Sequence, residues 1–140
     1  MTFDRVLICC DGGSRGNPGP AAIGAVLYDV SGAKRERLAT ISECIGEATN
    51  NVAEYQALIA GLEAARGFPS RAIVVRADSE LVVRQLEGRY KVKNEGLRPL
   101  YQKARALLDR YDEVDLGHVR REDNADADAL VNAALDAAGA

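Results

Sequence analysis

The stretch Val6-Leu7-Ile8-Cys9-Cys10 is apolar at every position, so both of its alternating faces have to be covered. A strand of that kind belongs in the middle of a sheet with other structure packed on both sides, which points to a layered α/β domain. Asp11-Gly12-Gly13 is expected to end it. Asn17-Pro18-Gly19-Pro20 is turn chemistry, so a hairpin should lead into a second strand over 22–28. Ser31-Gly32 then precedes a third strand over about 38–45.

From Asn50 the period changes. Val52, Tyr55, Ile59 and Leu62 recur at helical steps until Gly67 and Pro69 stop the pattern. Residues 72–77 form another short apolar run, and a strand, crossover helix and strand in that order make the fourth strand parallel to the first. A short helix over 79–86 follows. A longer one carries Leu97, Leu100, Tyr101, Ala104, Leu107 and Leu108, with Pro99 near its start. Residues 114–119 alternate as a last strand, and Asn124 is placed to cap a final helix whose apolar stripe includes Ala127, Leu130, Val131, Ala134 and Leu135.

A chain of 140 residues with 47% hydrophobic content suits a single domain over 1–140 that buries its own core. No apolar run approaches the ~20 residues that span a bilayer, and the first residues lack a secretory pattern, so the reading is a soluble, cytoplasmic monomer without membrane partners. Cys9, Cys10 and Cys44 have no metal-ligand spacing and read as small buried residues; the first two should face opposite sides of one strand.

Asp11 and Asp78 each stand directly after an apolar strand. If those strands are parallel neighbours, the two carboxylates lie side by side at the carboxyl end of the sheet, where open α/β sheets build their sites. Either one alone could equally cap the turn or helix that follows, but a close pair of like charges calls for a bridging cation. Glu54 falls on the crossover helix next to core-facing Tyr55; by itself it could be a helix-dipole partner. In the last helix Asp128 precedes Val131 and Leu135 by three and seven residues and so shares part of the packed face, whereas Asp123 and Asp126 read as solvated cap or dipole partners. Hard oxygen ligands without His or Cys favour Mg2+, with Mn2+ as a substitute, and a two-ion arrangement suits phosphodiester hydrolysis. Without these four acids the formal net charge of −3 becomes +1, so the acidity of the chain does not exclude a polyanionic partner.

Four motifs, in order over nearly the whole chain, resemble those of the type I ribonuclease H family. They are Asp11-Gly12-Gly13-Ser14-Arg15-Gly16-Asn17-Pro18-Gly19-Pro20, Thr49-Asn50-Asn51-Val52-Ala53-Glu54, Asp78-Ser79 and Asn124-Ala125-Asp126-Ala127-Asp128-Ala129-Leu130. The resemblance implies a five-stranded mixed sheet flanked by helices, three antiparallel strands first and then parallel ones. It implies Asp11, Glu54, Asp78 and Asp128 as the catalytic, metal-binding acids, two Mg2+ ions as cofactors and an RNA/DNA hybrid as partner. It further implies nucleic-acid contacts: the backbone at Gly12 and Gly13 with Asn17 at the RNA strand, Asn50 and Asn51 in the minor groove, Thr49 at a DNA phosphate, and Ser79 beside Asp78. For Asn17 and Thr49, turn and cap roles stand equally open.

Two departures stand out. The flexible His-bearing loop of well-studied bacterial members is missing: Arg120-Arg121-Glu122-Asp123 runs almost directly into Asn124, and His118 reads as a strand residue, which leaves proton transfer or product release to Arg121, Glu122 or water. The Trp-containing basic handle is also missing, and a modest basic stretch, Arg89-Tyr90-Lys91-Val92-Lys93 with Arg98, stands in its place. This compact form is similar to archaeal and actinobacterial members, some of which are fused to a phosphatase domain beyond their C-terminus. The alternative function is a hybrid-binding module without turnover. An aspartate-based phosphatase with Asp11 as nucleophile is disfavoured because Gly13 stands where a second acid is expected, and the Gly-rich segment lacks nucleotide-binding spacing.

Overall fold

The computed structural model describes residues 2–140. The elements are β1 (Phe3–Ser14), β2 (Gly19–Asp29), β3 (Glu36–Ala48), α1 (Asn50–Ala65), β4 (Ser70–Ala77), α2 (Glu80–Leu86), α3 (Arg98–Leu108), β5 (Glu113–His118), a 3-10 turn over Arg121–Asn124, and α4 (Ala125–Ala137). They form one five-stranded sheet in the order β3-β2-β1-β4-β5. β1 to β3 pair antiparallel, while β4 pairs parallel to both β1 and β5.

The central position of β1 follows from its all-apolar segment. Val6, Ile8 and Cys10 face a core shared with Tyr55, Leu58 and Leu62 of α1, Leu86 of α2 and Leu108 of α3. Leu7 packs on the other side with Val26 and Tyr28, and Cys9 lies against that cluster, so the two adjacent cysteines do face opposite ways. Farther along that second face, Val131 and Leu135 of α4 pack on Ala22 of β2.

Three local expectations are corrected. β1 does not end at Asp11. Its pairing with β4 stops at Cys10↔Ala77, but its pairing with β2 continues to Ser14↔Ala21, so Asp11 lies within the strand at the point where one neighbour departs. Asn124 does not cap α4 through its side chain; it is buried, and Nδ2 donates to the Cys10 carbonyl at 2.9 Å, pinning the start of α4 to that same point of the sheet. Cys44 is exposed rather than buried, because β3 is an edge strand with a single neighbour.

Two glycines let the layers close. A Cβ on Gly12 would stand 2.1 Å from the Ala53 carbonyl oxygen, so β1 and the first turns of α1 touch backbone to backbone. A Cβ on Gly24 would stand 2.5 Å from the Ala127 carbonyl oxygen, which seats α4 directly on β2. Because Gly24 pairs with Asp11, this second contact sets the α4 backbone beside the carboxylates.

Candidate metal and nucleic-acid site

Asp11 is 5% exposed and Glu54 9% exposed, a degree of burial that ionised carboxylates seldom reach without a partner. The side chain of Asp78, just past the end of β4, is also 9% exposed. One oxygen from each of the three lies within 4.8 Å of the others. The backbone explains the convergence. Beyond Cys10↔Ala77 the two parallel strands part, Asp11 and Asp78 flank the opening, and the glycine contact at position 12 lets Glu54 reach in from the helix layer. The Gly12 N–H donates to Glu54 Oε1 at 2.5 Å and fixes that carboxyl group.

Burial is the main cause that raises the carboxyl groups of both Asp11 and Glu54 above their ordinary range. Charge repulsion from Asp78 adds to it in each case. The closeness of the Asp11 carboxyl group raises Glu54 further. The ligand types and spacing fit a hard divalent cation: oxygens bound to one Mg2+ at about 2.1 Å lie up to about 4.2 Å apart, close to the span seen here.

The three acids line a cavity of about 420 Å³ together with Asp128, Gly12, Gly13, Ser14, Asn50, Asn51 and Ser79. Asp128 is half-buried on α4 and contributes to the raised carboxyl of Asp11, yet it stands outside the tight group of three. Asp123 pairs with Arg120 at 3.7 Å, and Asp126 accepts from the Tyr28 hydroxyl at 2.8 Å, so neither turns to this cavity.

Asn17 and Thr49 stand apart from the lining. Thr49 Oγ1 accepts from the Val52 N–H and caps α1, while Asn17 Oδ1 accepts from the Asn50 N–H at 3.0 Å. Asn50 Oδ1 in turn accepts from the Ser14 N–H at 3.0 Å, so these polar residues brace the β1–β2 turn against the start of α1. Ser79 caps α2 through the Val82 N–H and also borders the cavity. His118 ends β5, exposed and away from the lining. Arg121 does line the cavity, with Nε 3.7 Å from Asp78 Oδ2. Arg15 and Asn132 also line it and were missed in the sequence; the only available signal was that Asn132 follows Asp128 by one helical turn.

A reverse transcriptase-like family model matches residues 9–134. Among curated relatives, ribonuclease HI of Halobacterium salinarum is 48% identical over 132 residues, covering 94% of this chain and 65% of its own length. A bifunctional protein of Mycobacterium tuberculosis is 47% identical over 134 residues, covering 96% of this chain but 36% of its own length, so the chain spans about a third of that relative. Among solved structures, a ribonuclease H1 in complex with an RNA/DNA hybrid superposes with a TM-score of 0.87 at 44% identity, covering 96% of this chain and 99% of the other.

Proposed function

The chain belongs to the type I ribonuclease H family, and from that premise we propose that it hydrolyses the RNA strand of RNA/DNA hybrids. The observation that carries this reading is the meeting of Asp11, Glu54 and Asp78 at the parting of β1 and β4, with Asp128 across the same cavity. These four would hold two Mg2+ ions, or Mn2+ in their place. When bound, the ions supply activation of the attacking water and charge stabilisation at the leaving oxygen, giving 5′-phosphate and 3′-hydroxyl ends.

The chain's own residues do the rest. The Gly12 N–H orients Glu54, so one ligand is held before any ion arrives. Gly12, Gly13, Asn50, Asn51 and Ser79 present polar groups on the cavity wall, suited to the 2′-hydroxyls of a wide minor groove. Asn17 and Thr49 act first as a brace and a cap, and any contact they make with nucleic acid is secondary to that. Arg121 stands at the cavity edge as an exposed cation beside Asp78, in the part of the chain where a His-bearing loop is absent.

A labelled RNA/DNA hybrid incubated with the folded protein and Mg2+ should be cut in its RNA strand. Asp78→Asn should reduce cutting to background with an unchanged circular dichroism spectrum. Binding without cleavage by the unaltered protein would favour the hybrid-binding module instead. Among the described residues no helix is long and apolar enough to cross a membrane. The free thiols of Cys9, Cys10 and Cys44 suit a reducing, cytoplasmic setting. The bifunctional name of the mycobacterial relative supports the proposal that a domain of this kind is joined to a second one; a phosphatase in that place is our expectation from the family resemblance.

A further inference from the structure

Three of the four acids are set by the end of the sheet and by the Gly12 contact, but Asp128 rides on α4 and its carboxylate has to be aimed from its own surroundings. Asn132 lies one turn later on the same helix face. Its Nδ2 is 3.4 Å from Asp128 Oδ2 and 3.2 Å from the Asp128 carbonyl oxygen, donating toward both. Arg15, in the β1–β2 turn, reaches across to α4 and settles which way that amide faces. Its Nη2 donates to Asp136 Oδ1 at 2.7 Å and to Asn132 Oδ1 at 3.4 Å. A guanidinium only donates and a carboxylate only accepts, so an amide held between them has one satisfied orientation, with its oxygen toward Arg15 and its nitrogen toward Asp128.

We propose that Asn132, oriented by Arg15, is a positioning residue that aims the Asp128 carboxylate into the cavity and couples it to the β1–β2 turn. The inference rests on the ribonuclease H reading of the site. Arg15 and Asp136 are both solvent-accessible, with side chains 36% and 69% exposed, so their ion pair adds little to stability and its effect is felt in orientation.

The test is a Mn2+ titration by calorimetry on the whole chain, with thermal melting alongside. Asn132→Leu should weaken Mn2+ binding about 10-fold, the lower end for groups that support a metal ligand, while Tm moves by no more than about 2 °C. In an Asp128→Asn background the same substitution should change the affinity no further. Arg15→Gln should give a smaller loss and Arg15→Lys a near-normal affinity, since a donor-only cation is retained. On a hybrid, Asn132→Leu should lower kcat and leave KM in place. An unchanged Mn2+ affinity in folded Asn132→Leu, or an equal loss with and without Asp128, would overturn the positioning role. A protein that binds Mn2+ but cuts no hybrid would sink the ribonuclease reading, and the metal cycle would then decide the positioning role by itself.

Discussion

At position 12 the space for a side chain is taken by the backbone of Ala53, and the same contact lets a main-chain N–H hold Glu54. Gly12→Ala therefore has to push β1 and α1 apart. Overpacking of this kind costs about 1–3 kcal/mol, and here it also displaces a proposed metal ligand, so chemical denaturation should show the loss and hybrid cleavage should fall with it. Gly32→Ala is the matching control, because nothing stands within 4 Å of a Cβ there; its stability should change by less than about 0.5 kcal/mol. At this scale the sequence sorts the acids of the last helix by their place relative to its packed face. Three- and seven-residue steps to Val131 and Leu135 separated Asp128 from Asp123 and Asp126, and the structure gives the latter two partners in Arg120 and Tyr28. The support given by Arg15 was not legible, because its partners lie more than a hundred residues away in the chain.

Each element exists for reasons that can be read locally, but its seat depends on a few contacts between elements. α4 sits on β2 through Gly24, where an added Cβ would meet the Ala127 carbonyl oxygen and crowd Leu130 and Val131. Gly24→Ala should lift the helix that carries Asp128. The expected signature is a stability loss of about 1–3 kcal/mol together with weaker Mn2+ binding; normal metal affinity in the folded variant would show that α4 can move without moving the carboxylate. On the opposite face, Tyr55 of α1 donates its buried hydroxyl to Gln85 Oε1 of α2 at 2.6 Å. Tyr55→Phe leaves that oxygen without its donor and should cost about 1–3 kcal/mol in urea denaturation, with the cavity residues untouched.

Across the molecule, the site gathers carboxyl groups whose mutual repulsion the proposed cation would relieve. Asp11 and Glu54 have folded-state carboxyl groups raised above the ordinary range, chiefly by burial. Groups of this kind favour the fold most below the unfolded carboxyl range, near pH 4, and that stability is lost as pH rises toward their raised folded values. Chelator-treated protein should therefore melt at a lower temperature at pH 8 than at pH 5. Mg2+ should raise Tm more at pH 8, where the folded site would otherwise have to hold either unpaired charge or a bound proton. Equal shifts with Mg2+ at both pH values would mean that the acids do not act as one cation site. The formal net charge of −3 gives no general attraction for a polyanion, so hybrid binding should depend on this cavity and on the basic stretch near Arg89 and Lys93, and should weaken as salt is raised.

Local periodicity by itself determined the order and type of the elements, the central place of the first strand and the parallel return of the fourth, because the alternation of apolar residues records which faces must be buried. It also placed Asp11 and Asp78 at strand ends and Glu54 and Asp128 at the edges of packed helix faces, while the set of four as metal-binding acids came from the family resemblance. Only the tertiary structure decided that β1 and β4 part after Cys10 and Ala77, that Gly12 brings a helix close enough for Glu54 to enter that opening, and that Asn124 anchors α4 at the same point. Those outcomes depend on distances of closest approach between segments far apart in the chain, and a pattern read along the chain carries no measure of such distances.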